Sequence, residues 1–272
     1  MPYTLEDLAK SFLTGGSVHA PQEPYLTLIA EGDIAGHAPW YKNGFTAGAT
    51  TSETDIWTGA TSYVFPTAEM GMEVVSSDNT QDKAGGTGAL TVKIYYLTAA
   101  GVAKTETVTL NGTTVVPTAA TDIFRVNAFT VASTGTGGKP VGNISLRHLS
   151  DTPVYSQITA GYTKDRNLIY TVPAGKTLYI TSIAVSSLNA GADKGCRFTL
   201  RATYDDLAGA ALTAGIFFFP YFEIAARNGT FMRTFELPLR FVAGTDIKTS
   251  VTAEAASTTC TIGLRGWLES ED

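Results

Sequence analysis

The chain has 272 residues, 44% of them hydrophobic and only 16% charged, with a net charge of −6 and a pI near 5.1. That balance leaves no basic footprint for nucleic acid. The longest apolar run, Ala208 to Phe222, is interrupted by Pro220 and falls short of the roughly 20 residues that cross a bilayer.

The start of the chain lacks the basic-then-apolar order of a secretion signal. Thr4-Leu-Glu-Asp7 resembles a capping box, and Leu5, Leu8, Ala9, Phe12 and Leu13 then follow helical spacing until Gly15-Gly16. The spacing predicts a helix of about three turns, marginal alone in water. Its stripe must therefore dock on its own domain or on a neighbouring subunit. From Ser17 to Thr61, Gly and Pro break the pattern repeatedly, with one strand expected over Tyr25 to Ala30. Trp40, Tyr41, Phe45 and Trp57 fall here without a core of their own. Residues 1–48 accordingly read as an N-terminal helix and extended arm, which covers its own domain or lies across a partner.

Strand signals then follow in series, without a helical period between them. In residues 49–150 they fall at 62–65, 70–77, 89–97, 103–110, 123–131 and 141–149. In residues 151–272 they fall at 157–162, 168–172, 177–187, 197–204, 216–222, 230–241, 246–253 and 259–268. The clearest is the run after Pro173-Ala-Gly-Lys176, where Leu178, Ile180, Ser182, Ala184 and Ser186 share one face of a period-two pattern. Pro173 and Gly175 supply the turn before it. The expected fold is all-β, with two tandem β-sandwich (jelly-roll-like) domains, 49–150 and 151–272. An internal repeat supports the tandem. Leu90-Thr-Val-Lys-Ile-Tyr-Tyr96 aligns with Phe198-Thr-Leu-Arg-Ala-Thr-Tyr204, and Ile123-Phe-Arg-Val126 with Phe231-Met-Arg-Thr234, both at an offset of 108. Pro66 and Pro173 lie 107 apart, and Ile144-Ser-Leu-Arg147 lies 118 before Ile262-Gly-Leu-Arg265.

No catalytic constellation stands out. His19, His37 and His148 show no metal-ligand spacing, and G-x-S-x-G is absent. Gly135-Thr-Gly-Gly-Lys139 lacks the Ser or Thr and the helix of a phosphate loop, so it reads as a strand connection. No cofactor and no enzymatic activity are expected. Cys196 and Cys260 are either buried free thiols or a disulfide between neighbouring strands. Glycan binding would use exposed aromatics, for which Trp40, Trp57 and Tyr221 are candidates. Ile216-Phe-Phe-Phe-Pro-Tyr-Phe222 sends Phe217, Phe219 and Tyr221 to one face, and Pro220 marks an edge strand or a bulge. An apolar strand with two large faces predicts an interface with another subunit or between domains. The interface candidates are Leu5, Leu8, Phe12, Trp40, Tyr41, Phe217, Phe219 and Tyr221.

Thr54-Asp-Ile-Trp-Thr-Gly59, Glu106-Thr-Val-Thr-Leu-Asn-Gly112, Phe124-Arg-Val-Asn127 and Tyr170-Thr-Val-Pro-Ala-Gly-Lys-Thr177 occur in that order. The ordered set, covering roughly residues 50 to 205, resembles tailed-bacteriophage virion structural proteins. The resemblance implies a non-enzymatic part of a phage particle on the capsid, neck or tail, as a decoration (cement) or head-proximal component assembled in the host cytoplasm. It implies as partners other copies of the chain and virion proteins such as the major capsid protein or neck and tail components. Neither nucleic acid nor membrane is among them. The alternative is a receptor- or glycan-binding module of a tail or fibre.

Overall fold

A computed structural model describes residues 25–59, 62–189, 194–203 and 219–271; for Phe219, Pro220 and Tyr221 the backbone alone is described. Strands make up 57% of the chain and helix 3%, so the all-β expectation holds. In chain order the elements are α1 (Tyr25–Glu31), β1 (His37–Ala49), β2 (Thr54–Asp55), β3 (Met72–Ser76), β4 (Ala89–Leu97), β5 (Ala103–Thr109), β6 (Val116–Pro117), β7 (Arg125–Thr134) and β8 (Ile144–His148). There follow β9 (Val154–Ile158), β10 (Ile169–Thr171), β11 (Lys176–Leu188), β12 (Gly195–Ala202), β13 (Phe219–Arg227), β14 (Gly229–Phe241), β15 (Asp246–Ala253) and β16 (Thr258–Ser270).

Two corrections fall in the segment expected to be an arm. The stretch expected as a strand at Tyr25 is helix α1, ended by Gly32 at φ +82°. Gly32 N donates to the Ile29 carbonyl and Asp33 N to the Leu28 carbonyl, the paired bonds of a Schellman cap. Residues 37–49 are not irregular but form a 13-residue strand. Its alternation is hidden because Lys42 and Gly44 occupy inward positions. Gly44 is a close approach: a Cβ there would lie 2.8 Å from Ile56 Cγ2 and 2.9 Å from Leu168 Cβ. Residues 62–65, expected as a strand, form none.

Pairing produces four antiparallel sheets. One has the order β1-β16-β11-β14. A second has the order β10-β15-β12-β13, with β2 also on β15. The third is β6-β3-β8-β9 and the fourth β5-β4-β7. The repeat is visible here, because β6-β3-β8-β9 corresponds strand for strand to β14-β11-β16-β1, and β5-β4-β7 to β13-β12-β15. The same correspondence corrects one sequence match. Phe231 lies in β14, whose counterpart is β6, whereas Ile123 leads into β7.

The expected tandem of self-contained sandwiches is corrected as well. Strand β9 opens the second half of the chain yet pairs with β8 of the first half, Ile144 opposite Ile158. Strand β1, at the other end, pairs with β16 from His37 opposite Glu269 to Ala49 opposite Thr258. Each half thus completes its sheet with a strand from the other, and the last strand closes on the first in a propeller-like arrangement. The apolar residues obey this exchange. One core holds Ile180, Phe198, Val251 and Ile262 and takes Trp40 and Ala49 from β1. The other holds Met72, Ile94, Phe129 and Ile144 and takes Tyr155 and Ile158 from β9.

The halves also meet through a buried ion pair. Arg125 opens β7 and is 1% exposed; Asp246 opens β15 and is 5% exposed. Arg125 Nε donates to Asp246 Oδ1 at 3.0 Å and Nη2 to Oδ2 at 2.9 Å, the two-pronged geometry that suits a guanidinium to a carboxylate. Nη1 donates to the carbonyls of Pro66 and Phe124, and the Thr171 hydroxyl and Asp246 share a further bond. A small cluster of Trp57, Tyr63 and Ile169, with Phe65 against it, also joins the halves. The two cysteines are free and buried, with sulfurs 3.1 Å apart across the core between β12 and β16. Burial raises the pKa of both thiols, which keeps them protonated and poorly reactive.

Candidate functional site

Of the predicted interface residues, Leu5, Leu8, Phe12 and Phe217 lie outside the described residues. Phe219 and Tyr221 belong to β13, of which only their backbone is described. The backbone shows both features that Pro220 signals. Strand β13 is the terminal strand of its sheet, and its register against β12 shifts between Leu200 and Arg201. Trp40 is corrected from interface to core. It faces inward on β1 and meets the Tyr170 ring edge-on at 5.1 Å. Tyr41, its neighbour on the strand, faces outward and is 66% exposed. Trp57 is buried against Tyr63, so neither tryptophan offers a face to a glycan.

Of the aromatic run, Phe222 is the one residue whose side chain is described. Phe222 is partly buried and meets Phe235 edge-on at 5.0 Å. One strand later, exposed apolar groups are described. On β14, Phe231 is 50%, Met232 64% and Leu237 84% exposed. Strand β14 is an edge strand, and its pairing with β11 jumps from Leu239 opposite Ile180 to Thr234 opposite Ser182. The intervening bulge carries Leu237 beside Pro238. Its counterpart in the first half, β6, spans two residues against the 13 of β14, so this long edge is particular to the second half. The signal was present in Thr230-Phe-Met-Arg-Thr-Phe-Glu-Leu-Pro-Leu239, where Phe231, Phe235, Leu237 and Leu239 alternate with a set that includes Met232, and Pro238 marks an edge or a bulge.

A second feature lies where the halves meet. A cleft of about 310 Å³ is lined by residues of β1, β4, β5 and β7, together with Lys164, Tyr170 and Pro173. Its lining includes Lys42, Lys104 and Lys164 but no carboxylate. Lys42 is buried, and its Nζ donates to the Asn127 carbonyl at 2.5 Å. Burial lowers its pKa, Asp165 behind it opposes that shift, and Lys164 adds to it. Asp165 is itself raised by burial. Lys104 pairs with Asp122 at 2.6 Å just outside the lining, and this bond holds the Asp122 carboxyl below its ordinary pKa. Lys164 Nζ stands 5.5 Å from the centre of the Tyr41 ring.

The glycine loops have structural partners. Gly135 N donates to the Gly88 carbonyl and Gly137 N to the Thr87 carbonyl, both at 2.8 Å, so the two loops hold each other. Among the described residues, no group of three or more His, Cys, Asp or Glu is placed to hold a metal ion. No helix among them is long and apolar enough to cross a membrane.

The class that the fold defines is an all-β protein of four antiparallel sheets. No protein-family model matches the chain, and no curated protein sequence does. Among solved structures, a faint likeness is found to the infectious bursal disease virus Gt strain, at 11% identity and a TM-score of 0.15 over 90% of this chain and 76% of that one. A second is to the VP2 subviral particle of the same virus, at 7% identity and a TM-score of 0.13 over 87% and 81% of the two chains. Scores of this size define no shared fold.

Proposed function

We propose that the chain is a non-enzymatic structural subunit of a bacteriophage particle, a capsid decoration (cement) or head-proximal component that works through contacts between subunits. The observation that carries the reading is the β14 edge. It combines a strand edge that no other described strand pairs, and such an edge recruits another strand through main-chain hydrogen bonds, with exposed Phe231, Met232 and Leu237. An edge of this length is a liability on a monomer and an asset on a subunit that is covered after assembly. The ordered segments that resemble those of phage virion proteins, and a composition poor in charge, support the same reading. Other copies of the chain and neighbouring virion proteins are the partners, and contacts repeated over a lattice multiply weak affinities.

Particle association tests it. Antibody against the chain is expected to label intact, density-purified particles from producing cells at many regularly spaced positions. Label found only on unassembled protein would overturn the reading.

A further inference from the structure

The cleft between the halves sets itself apart from the rest of an acidic molecule. A chain of net charge −6 gathers three lysines in one lining without a carboxylate among them. Of the three, Lys104 is ion-paired with Asp122 beside the lining, while Lys42 and Lys164 have no ion-pair partner among the described residues. At its buried side, Lys42 has one hydrogen-bond acceptor among the described residues, the Asn127 carbonyl. An ammonium carries three donors, and a buried cation left short of acceptors is costly. At its open side stand two tyrosine rings, Tyr41 and the partly exposed Tyr95, each with a lysine ammonium over it. These are Lys164 at 5.5 Å and Lys93 at 4.9 Å from the ring centres.

We propose that this cleft binds a carboxylate-bearing sugar. A pyranose presents an apolar C–H face and a polar rim. Its face can lie on the Tyr41 or Tyr95 ring while the ammonium now above that ring swings to the carboxylate. Lys164 is exposed and free to make that movement. Lys42 offers its remaining donors to ring hydroxyls or to the acid group. The volume is at the lower end of the ~300–1,000 Å³ of small-molecule sites, which fits one or two rings and not a folded partner. An acidic peptide would satisfy the lysines but would leave the tyrosine faces without a planar or ring-shaped occupant. The site is separate from β14 and from the assembly reading.

Titration calorimetry of the full chain tests the proposal with a tetrasaccharide containing glucuronate, its carboxyl-reduced counterpart, and a short polyglutamate peptide. The acidic saccharide is expected to bind saturably. The reduced form, and the exposed-residue variants Tyr41→Ala and Lys164→Gln, should each bind about tenfold more weakly or worse, as the loss of a charge-assisted or stacking contact predicts. Unchanged melting temperatures in both variants would show that folding is not the cause. Equal binding of the reduced saccharide or of the peptide would overturn the proposal. So would wild-type affinity in both variants, or no saturable binding of the acidic saccharide up to about 10 mM.

Discussion

Asp246→Ala should lower the melting temperature by on the order of 10 °C. Removing one partner of a buried pair costs about 3–5 kcal/mol, because the other charge stays behind without its counter-ion. Each kcal/mol is worth roughly 2–4 °C in a chain of this size. Arg125 cannot escape to water. Its guanidinium packs on the rings of Phe124 and Phe65, at 4.0 and 5.1 Å, and two of its bonds go to fixed backbone carbonyls. The partner carboxylate also organises its surroundings, since its Oδ1 accepts from the Thr171 hydroxyl. The double variant Arg125→Met with Asp246→Leu should recover most of the loss, because an apolar pair leaves no orphaned charge. Scanning calorimetry of the three variants decides it. An Asp246→Ala protein that melts within a degree of wild type would show that the halves are not coupled here.

Removal of residues 1–49 should have a larger and more local effect. It takes away β1, exposes the edge of β16 and withdraws Trp40 from the second core. A buried Trp alone hides roughly 150–250 Å², worth about 4–6 kcal/mol at ~25 cal/mol per Å². That is comparable to the entire net stability of many domains. The first core contains no residue of β1 and is closed by β9 instead. Hydrogen exchange on the truncated chain should therefore show lost protection in β11, β14 and β16, with β3, β4, β7 and β8 still protected. Equal loss in both halves, or intact protection in β16, would contradict the exchange of strands. The same experiment separates β1 from the role of a detachable arm.

What the sequence disclosed follows from which forces are local. Strands β4 and β15 fall on their predicted ranges, and β11 exceeds its own by one residue at each end, because alternation of apolar and small residues is written into each segment. The repeat was legible for the same reason in Leu90 to Tyr96 and Phe198 to Tyr204. Sheet membership was not. That β1 closes on β16 depends on a partner more than 200 residues away, and nothing within His37 to Ala49 names that partner. Lys42 and Gly44 further disguise the strand, since one is a buried cation and the other a glycine required by close packing. Of the proposed contact residues, Tyr41 is exposed, whereas Trp40 belongs to a core that becomes visible only once β1 is docked. Among the described residues, exposed apolar side chains line β14. Composition draws attention to Phe217 through Phe222, whereas the exposed apolar side chains of β14 follow from its bulge and its place at the end of its sheet, neither of which composition shows.

The proposed assembly depends above all on the β14 edge as a contact between subunits. The measurement that bears on it most directly is the mass of the purified full chain across concentration, compared with the variant Met232→Asp, Leu237→Asp. Both side chains are largely exposed, so the variant should melt like wild type. The wild-type chain is expected to form an oligomer of one defined mass and the variant to remain a monomer. A wild-type chain that stays monomeric up to about 100 μM, or a variant that keeps the same oligomer, would contradict the account.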